Sequence, residues 1–574
     1  MPRSPALLIP LSLAVAACWS IPFLVAPHTY PIPTFYGEFA SAVCWAVLAV
    51  VALGATWREK VVFPVAALAP VALVLVLIVQ LDVATPINPF YSFAAIVFLL
   101  AAAAATGIGA RCREIPGVLR AIAVGVLIGA LLTVAIELLQ LFRVQGLPES
   151  LVSPASTALD RRMWGNLNQP NHVASYLSFG LAACVYLANG SKLVRAFLVG
   201  CALMFLVGMA LTFSRTAWIH TGIVGVLTGL LFWKQRGGHK GWAIATPLLL
   251  LLVFELCNWL VSYANMLWAL GLPTSLATRM EHGASDRMPM WHHAWHMFVT
   301  NFWLGGGWGD YAWNQYVQTD LLGPVTMSLN AHNAVLDILA KVGIFGLLAV
   351  VLPLAGLVRV AIRSSFTSAS VFLYTVVLVL AAHSMLEYPL QYLYFLLPFA
   401  FVLGYADDRP LRFPSASMAW VLTGIIVVCC IALTGRMWID YKPIEQLYYQ
   451  QGGAQAALRQ YQESKQLLLA PYANLTIANN AGMTYELAPV LAAIERQAVQ
   501  FYPSAGPVQR WAVALAFQGK TDEAVLQVRR LRDLNSEDYV GASLLIAHVC
   551  KEKMVGSKEF CTRLKAKNLL TGVD

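Results

Sequence analysis

Long apolar segments alternate with short polar connections over the first 440 residues of the chain. Many of these segments reach the length of about 20 residues that a helix needs to cross a bilayer. The pattern predicts thirteen crossings, near residues 5–26, 38–56, 62–80, 91–109, 118–142, 171–189, 194–213, 216–233, 243–263, 332–358, 369–386, 390–405 and 418–438. We therefore predict an all-α fold, a polytopic membrane helix bundle.

The pattern changes near residue 440. Residues 440–574 are more polar, lack long apolar segments and have the spacing of amphipathic helices. Within them, WAVALAFQGKTDEAVLQVRRL (511–531) has small and apolar residues at helical spacing around Gly519 and Ala524, and it resembles one tetratricopeptide helix pair. We predict a transmembrane domain over residues 1–439 and a small helical, tetratricopeptide-like domain over residues 440–574.

The polar connections alternate in charge along the chain. The basic set carries Arg58 and Lys60; Arg111, Arg113 and Arg120; Lys192 and Arg195; Lys234, Arg236 and Lys240; Arg359 and Arg363; Arg409 and Arg412. The other short connections, residues 27–37, 81–90 and 387–389, carry neither lysine nor arginine. The positive-inside rule places the basic set in the cytoplasm. The N-terminus is then cytoplasmic, whereas the loops 143–170 and 264–331 and the tail from residue 440 lie outside.

Composition agrees with a membrane protein. The chain has 59% hydrophobic and 12% charged residues and a mean hydropathy of +0.66, while soluble domains carry about 25% charged residues. The net charge of +9 arises from basic residues in short connections, and no basic stripe is interleaved with exposed aromatic residues. We therefore predict a lipid bilayer as surroundings and no nucleic-acid partner.

Cysteine and histidine spacing does not indicate a metal site. Most of the ten cysteines lie in apolar segments, and no CxxC pair occurs. His292, His293 and His296 share a short stretch, but no HExxH motif or matching third ligand accompanies them. Cys550 and Cys561 lie in the polar tail, where an oxidising compartment would allow a disulfide between them.

A histidine stands where the large outer loop meets the tenth apolar segment. In NAHNAVLDILAKVG (330–343), the neutral imidazole of His332 can accept a proton from a hydroxyl group near physiological pH. The alternative is an interfacial histidine beside a helix start that is capped by Asn330 or Asn333. Asp337 and Lys341, one turn apart, are predicted to form an internal ion pair.

Arginines on the predicted outer side indicate an anionic ligand. Arg215, in LTFSRTAW, occupies a very short outer turn against the positive-inside trend, and its planar guanidinium suits phosphate oxygens. Snorkelling towards the headgroups is the alternative. Arg279 and Arg287 lie in the outer loop and add two further candidates. The run GGGWGD (305–310) could offer backbone N–H groups, but it lacks a P-loop pattern, and a tight turn is favoured.

Two polar clusters lie at helix ends on the same side, GNLNQPNH (165–172) and HSMLEYPLQY (383–392). Their prolines would leave backbone and amide groups exposed to a cavity. The side chains suited to a hydroxyl-rich ligand such as a sugar are Asn166, Gln169, Asn171, Glu387 and Tyr388. The alternative is that they serve as helix caps and interface anchors. His383, in the second cluster, is an alternative base to His332.

These groups together describe a cationic pocket at the outer leaflet, with a base and amide donors. A lipid diphosphate fits it, because its tail would lie in the bilayer and its head between arginines. No ATP-binding motif is present. The energy for a transfer reaction would then come from the phosphate leaving group of the substrate.

Five motifs occur in a familiar order. They are GNLNQPN, FSRTAW, the stretch DRMPMW (286–291) that leads to GGGWGD, NAHNAVLDILAKVGIFG and HSMLEYPLQYLYFLLPF. Together they resemble the bacterial protein O-oligosaccharyltransferases of the PglL type, which are relatives of the O-antigen ligases and O-antigen polymerases. The similarity spans about residues 160–405.

The resemblance implies transfer of a preassembled oligosaccharide from undecaprenyl diphosphate to Ser or Thr hydroxyls of periplasmic or pilin-like proteins. It implies a periplasmic active site in the bacterial inner membrane, without a cofactor. His332 would be the catalytic base, and Arg215 and Arg287 would hold the diphosphate, with Arg279 as a third candidate. Gln169 and Tyr388 match positions implicated in activity in that family.

Three alternatives stay open at this point. Within the same fold, an O-antigen ligase would use lipid A–core as acceptor and a polymerase would use another lipid-linked glycan. From a different class, a flippase would use Arg215 only to grip the headgroup. A transporter should show internal repeats and charged residues along a path through the membrane, and the sequence shows neither.

Overall fold

The computed structural model describes residues 5–55, 63–156, 161–235, 240–273, 287–411, 416–449, 468–480 and 482–571. Over these ranges the chain forms helices and connections, with no β-strand. The all-α prediction is therefore confirmed for the described residues. Four basic residues used for the topology, Arg58, Lys60, Arg236 and Arg412, lie outside them.

The helices up to residue 449 are α1 (Pro5–Cys18), α2 (Phe35–Ala55), α3 (Leu68–Val83), α4 (Pro89–Cys112), α5 (Val118–Leu141), α6 (Pro170–Leu187), α7 (Lys192–Leu211), α8 (Thr216–Gln235), α9 (Gly241–Trp268), α10 (Arg287–Thr300), α11 (Tyr311–Leu322), α12 (Ala334–Arg363), α13 (Ser368–Ser384), α14 (Leu393–Ala406) and α15 (Ala416–Tyr449). Each of the thirteen predicted apolar segments coincides with one of them.

Length and apolarity support a multi-pass membrane protein. Within the described residues, nine helices are long and apolar enough to cross a bilayer, namely α2–α5, α7–α9, α12 and α15. Helices α1, α13 and α14 are shorter and apolar. The multi-pass prediction is thus confirmed, while the number of thirteen crossings stays a prediction.

The chain divides into two compact units. The first comprises Met1–Ala72, Val97–Met280 and Ala349–Thr434, and the second comprises Leu73–Ile96, Glu281–Leu348 and Gly435–Asp574. These units are defined by which residues pack together, whereas the predicted boundary at residue 439 separates the transmembrane part from the polar tail. That boundary therefore stays a prediction.

Small residues allow close helix packing in the first unit. Helix α6 is buried over His172–Cys184, and it packs against α5, α7, α8 and α13. A Cβ atom on Gly180 would lie 2.8 Å from a Phe205 ring carbon, and one on Gly109 of α4 would lie 2.0 Å from the Phe401 carbonyl oxygen of α14. Glycine is required at both positions because no side chain fits between the neighbouring segments.

A glycine interrupts α12 in the second unit. Gly343 has φ 65° and ψ −162°, which ends the first part of the helix at Val342. The neighbouring loop supplies donors to helix carbonyls at this break. The N–H of Gly306 donates to the Ala340 carbonyl at 2.8 Å, and the N–H of Gly307 donates to the Lys341 carbonyl at 3.2 Å. A Cβ atom on Gly343 would lie 2.4 Å from the Trp303 carbonyl oxygen.

The C-terminal part consists of short helices that pack on one another. They are α16 (Ala470–Asn480), α17 (Ala488–Phe501), α18 (Ala505–Phe517), α19 (Thr521–Leu534), α20 (Tyr539–Ala542), α21 (Leu544–Lys551) and α22 (Lys558–Ala566). Helices α18 and α19 form a pair that turns at Gly519, where φ is 75°. Cys550 of α21 and Cys561 of α22 are joined by a disulfide, as the sequence allowed.

Helix α11, from the large loop, packs on this C-terminal part within the second unit. The hydroxyl of Tyr316 donates to the Gln527 side chain at 2.5 Å. Asp320 forms ion pairs with Arg529 at 2.6 Å and Arg530 at 2.5 Å. The loop that follows is held as well, because the Val325 N–H donates to the Asp533 carbonyl at 3.0 Å. The loop and the C-terminal helices therefore form one packed body.

Candidate functional site

The predicted site residues fall into both units. The first unit contains Asn166, Gln169, Asn171, Arg215, His383, Glu387 and Tyr388, and the second contains Arg287 and His332. Arg279 lies outside the described residues.

Asn166 and Gln169 shape the start of α6. The Asn166 amide is buried, accepts from the Ser153 N–H at 2.9 Å and donates to the carbonyls of Leu24 and Leu151 at 2.8 and 2.9 Å. The Gln169 side-chain oxygen caps the helix by accepting from two backbone N–H groups, including that of His172 at 3.1 Å. The Asn166 amide therefore anchors a loop, and its role as a ligand-binding group stays a prediction.

Asn171 is the centre of a polar network in the first unit. Its side-chain oxygen accepts from the Ser214 hydroxyl at 2.6 Å and from Nη2 of Arg162 at 3.3 Å. Its side-chain nitrogen donates to Oε1 of Glu387 at 3.3 Å. The hydroxyl groups of Ser214 and Thr216 lie 2.7 Å apart. The fold thus brings the two predicted polar clusters together beside the turn that carries Arg215.

That turn is short and conformationally strained. Phe213 has φ 47°, a left-handed conformation that non-glycine residues seldom adopt. Arg215, two residues later, is exposed, and within the described part of the chain its guanidinium makes no hydrogen bond or ion pair. An exposed guanidinium on a rigid turn is suited to an anionic ligand.

Arg162 belongs to this network and was missed by the sequence interpretation. Its Nε donates to the Thr212 carbonyl at 2.7 Å, at the end of α7. The signal that could have found it is the one that singled out Arg215, a basic residue on the predicted outer side. Its neighbour Arg161 carries the same signal, but it is buried and donates to the carbonyls of Gln140 and Leu141.

His383 and Tyr388 have different surroundings. His383 is fully buried, with its Nδ1 2.8 Å from the Ser175 hydroxyl and its ring 5.6 Å from that of His172. Tyr388 is half-buried and stacks on Tyr392, with ring centroids 5.9 Å apart. The imidazole of His383 therefore lies within the helix packing, and its role as an alternative base stays a prediction.

His332, the candidate base, lies in the second unit. It is half-buried directly before α12 and has φ 51°. The side chain of Asn333 caps the helix by accepting from the N–H groups of Val335 at 3.1 Å and Leu336 at 3.2 Å. The sequence offered Asn330 or Asn333 as the cap of this helix, and Asn333 provides it, while the catalytic role of His332 stays a prediction. Arg287 is half-buried and is the first residue of α10.

The backbone that precedes His332 is held from several directions. Oδ1 of Asp337 accepts from the Ala331 N–H at 2.9 Å, and Nε1 of Trp291 donates to the Ala331 carbonyl at 3.1 Å. Nζ of Lys341 pairs with Oδ2 of Asp337 at 3.0 Å and donates to the side-chain oxygen of Asn330. The predicted ion pair is thus confirmed, and it supports the loop that carries His332.

The run GGGWGD is a structural turn. The N–H groups of Gly306 and Gly307 donate to carbonyls of α12. The carboxylate of Asp310 accepts from the N–H groups of Ile87 and Asn88, both at 2.8 Å. The tight-turn alternative therefore describes this loop, and its backbone N–H groups hold the interrupted helix instead of facing a phosphate.

The described residues contain no group of three or more His, Cys, Asp or Glu side chains placed to hold a metal ion. In the HHAWH stretch of α10, His292 is exposed while His293 is buried. Adjacent residues on a helix lie on different sides of it.

Three family models match consecutive parts of the chain. They are a protein glycosylation ligase model over residues 163–188, an O-antigen ligase model over residues 199–351, and the C-terminal part of a virulence factor membrane-bound polymerase over residues 371–542. The first covers the Asn166–Asn171 cluster, and the second includes both Arg215 and His332.

Two curated proteins of Acinetobacter baylyi are similar to the chain. A general O-oligosaccharyltransferase is 27% identical over 344 residues, which is 54% of this chain and 55% of that protein. A ComP-specific O-oligosaccharyltransferase is 25% identical over 268 residues, 45% of this chain and 46% of that protein. The chain thus spans about half the length of the curated relatives it matches. These matches confirm the predicted resemblance, and the chain is similar to the O-antigen ligases and to the PglL-type protein glycosylation ligases.

Proposed function

We propose that this protein transfers a preassembled oligosaccharide en bloc from undecaprenyl diphosphate to a Ser or Thr hydroxyl of a periplasmic or pilin-like protein. The observation that carries the proposal is the environment of His332. Its imidazole stands at a strained position on a loop that Asp337, Lys341 and Trp291 hold in place. Strain of this kind persists only where the surroundings maintain it, and it is common at functional sites. The similarity to curated O-oligosaccharyltransferases supplies the reaction class.

The reaction requires a base and a stabilised leaving group. The acceptor oxygen forms a bond to the anomeric carbon of the glycan while the bond from that carbon to the carrier diphosphate oxygen breaks. His332 takes the hydroxyl proton and later passes it to water. Arg215 and Arg287 bind the diphosphate and neutralise the charge that develops as it leaves. Holding the two reactants in one geometry supplies a large part of the rate enhancement.

The structure supports His332 over His383 as the base. His332 is half-buried in a loop, whereas His383 is fully buried and engaged by Ser175. Gln169, Asn171, Glu387 and Tyr388 then act on the donor side, where amide, carboxylate and phenol groups are suited to sugar hydroxyls. No cofactor is part of this proposal.

We also propose that the protein lies in the inner membrane with its N-terminus in the cytoplasm and residues 264–331 and 440–574 in the periplasm. The charge alternation of the connections supports this orientation. The Cys550–Cys561 disulfide supports it independently, because such bonds persist in oxidising compartments. Alkaline phosphatase fused after residue 571 should be active, since that enzyme folds only outside the cytoplasm. A fusion that is stable but inactive would show that the C-terminal part lies in the cytoplasm, opposite to the proposed orientation.

The C-terminal helices fit the acceptor side of the proposal. Helices α18 and α19 pack as a pair, and stacked helix pairs form the concave surfaces with which helical repeat proteins bind peptides. Their attachment to α11 through Asp320 and Tyr316 links them to the loop that ends at His332. We propose that they present the acceptor protein.

A second candidate function is O-antigen ligation to lipid A–core. The O-antigen ligase model, which matches residues 199–351 and so includes Arg215 and His332, favours it specifically. The chemistry at the donor would be the same, and only the acceptor would differ.

Glycan transfer in membranes tests both candidates. Membranes that contain the wild type, His332→Ala or Arg215→Ala at matched levels would receive a lipid-linked oligosaccharide and either a Ser-containing periplasmic protein or lipid A–core. Loss of a general base costs about 10²- to 10⁴-fold in rate, so His332→Ala should be inactive on this scale. His292→Ala, at an exposed histidine of α10, is the matched control.

The outcomes separate the proposals. If the wild type transfers glycan to the protein, and both His332→Ala and Arg215→Ala abolish the transfer, the result supports the oligosaccharyltransferase. Transfer only to lipid A–core by the wild type supports the ligase. If His332→Ala keeps wild-type activity, the imidazole is not the base. If no acceptor is modified while lipid-linked glycan crosses the bilayer, the flippase alternative replaces both.

A further inference from the structure

We propose that Arg162 is a positioning residue that fixes the turn carrying Arg215, and so sets the affinity for the diphosphate of the donor. The inference rests on the proposed function in one respect, namely that Arg215 binds that diphosphate. Arg162 lies outside every motif on which the resemblance depends. Its role follows from its contacts within the first unit.

The Arg162 guanidinium joins two acceptors, one at the end of α7 and one at the start of α6. Nε donates to the Thr212 carbonyl at 2.7 Å, and Nη2 donates to the side-chain oxygen of Asn171 at 3.3 Å. Thr212 closes α7, and carbonyl groups at the C-terminal end of a helix lack partners within the helix. Arg162 therefore ties the end of α7 to the start of α6.

The same contacts determine the orientation of the Asn171 amide. Because its oxygen accepts from both Arg162 and Ser214, its nitrogen must face the other way, and it donates to Glu387. An amide without these donors could rotate and exchange its oxygen and nitrogen. Arg162 thus keeps the hydroxyl of Ser214, the residue next to Arg215, bonded to a fixed acceptor.

The turn itself needs such support. Phe213 is held at φ 47°, and several hydrogen bonds join this turn to its neighbourhood, including that of the Ser214 hydroxyl to Asn171 at 2.6 Å. The Ser214 N–H donates to Oγ1 of Thr212 at 3.1 Å, and the Met163 N–H donates to the Leu211 carbonyl at 3.1 Å. Without Arg162, the left-handed residue can relax, and the backbone position of Arg215 would then no longer be fixed.

The adjacent Arg161 provides a contrast. Its guanidinium donates to the carbonyls of Gln140 at 2.9 Å, Leu141 at 2.7 Å and Leu270 at 2.8 Å. It therefore closes the end of α5 and has no contact with Asn171 or the Arg215 turn among its hydrogen bonds. Two neighbouring arginines in the sequence thus have separate tasks, one in stability and one in donor binding.

The test compares donor affinity with turnover in purified full-length protein. Binding of undecaprenyl diphosphate would be measured directly, and KM for the lipid-linked donor, KM for the acceptor and kcat would be measured in parallel. Arg162→Met should weaken diphosphate binding by about tenfold, the effect of losing hydrogen bonds from a charged group, and leave the acceptor KM unchanged. Arg143→Met removes the same charge from an exposed outer position and should bind as the wild type does.

Arg162→Lys distinguishes the planar fork from the charge. Lysine keeps the charge but cannot donate to Thr212 and Asn171 together, so this variant should stay as impaired as Arg162→Met. Arg161→Lys should lower the thermal stability and leave diphosphate affinity unchanged. Wild-type affinity in Arg162→Met, or full recovery in Arg162→Lys, would overturn the positioning role.

The inference and the proposed function fail in different ways. If the wild type transfers glycan but Arg162→Met has an unchanged donor KM, the inference is wrong and the function stands. If the wild type transfers no glycan while Arg162→Met still weakens binding of undecaprenyl diphosphate, the inference stands and the proposed function is wrong.

Discussion

Asp337 and Lys341, one helical turn apart on the helix that follows His332, form a buried ion pair of 3.0 Å. The side chains are 10% and 3% exposed, so neither charge is solvated by bulk water. The second carboxylate oxygen of Asp337 accepts from the Ala331 N–H, and Lys341 lies 5.3 Å from the Trp308 ring centroid. The sequence predicted this pair as a contact within one helix. In the structure it connects α12 with Trp308 of the GGGWGD run and with the loop that carries His332.

Asp337→Asn should destabilise the protein strongly. Asparagine keeps an acceptor for the Ala331 N–H but leaves Lys341 as a buried, unpaired charge, and breaking such a pair costs about 3–5 kcal/mol. The measurement is the thermal midpoint of the detergent-purified variant.

The double variant Asp337→Asn/Lys341→Met is the control for this prediction, since it removes the orphaned charge and should recover much of the stability. Equal midpoints for the single variant and the wild type would show that the pair carries little energy.

Trp291→Phe should lower the turnover number with little effect on folding. Phenylalanine keeps an aromatic ring on α10 but loses the N–H that donates to the Ala331 carbonyl at 3.1 Å. One such hydrogen bond is worth about 1 kcal/mol, which corresponds to roughly a fivefold change in rate if it acts through the placement of His332. Steady-state kinetics with saturating donor would measure this.

Trp303→Phe is a suitable control, because Trp303 is 61% exposed. An unchanged kcat in Trp291→Phe, at normal stability, would mean that the Ala331 carbonyl does not need its indole donor.

Gly343→Ala should be severely destabilising. The left-handed φ of 65° disfavours alanine, and the new Cβ atom would lie 2.4 Å from the Trp303 carbonyl oxygen. The neighbouring backbone would have to move, and with it the start of α12. The yield of folded protein in detergent, measured by size exclusion and thermal unfolding, reports the effect.

Gly200→Ala is the matched control for Gly343, because no atom lies within 4 Å of its added Cβ in α7. It should fold as the wild type does. Comparable behaviour of the two alanine variants would contradict a requirement for the break.

The contact between α11 and α19 should depend on pH in the acid range. Burial by itself raises the pKa of Asp320, but hydrogen bonds and charges from Arg530 and Arg529 outweigh burial, so the pKa lies below its ordinary value. The carboxylate therefore contributes stability that is fully present above the unfolded pKa of about 3.9 and is lost as pH falls through the lower folded pKa.

Thermal unfolding of the wild type and Asp320→Asn between pH 3 and 6 checks this contribution. The difference between them should be constant at the upper end and shrink towards pH 3. A difference that stays constant down to pH 3 would show that the Asp320 charge is not coupled to folding.

The sequence by itself determined the helical class, the multi-pass character and the family resemblance. These follow from local properties, since a segment of about 20 apolar residues must satisfy its own backbone hydrogen bonds in lipid. The Asp337–Lys341 pair and the helix start beside Asn333 were predictable for the same reason, because both depend on spacing within one helix. The motifs around His332 and Arg215 could be identified from the sequence because each is one continuous stretch of residues.

Only the tertiary structure decided how separate polar groups are used. Asn166 and Asn171 lie five residues apart in one motif, yet the first anchors a loop and the second joins Arg162, Ser214 and Glu387. Nothing local distinguishes the two amides, because their partners come from segments that are distant in the chain. The same holds for the adjacent Arg161 and Arg162, and for the glycines after Leu304, whose N–H groups complete a broken helix. Hydrogen-bond partners are assigned by packing, and packing is a property of the folded chain as a whole.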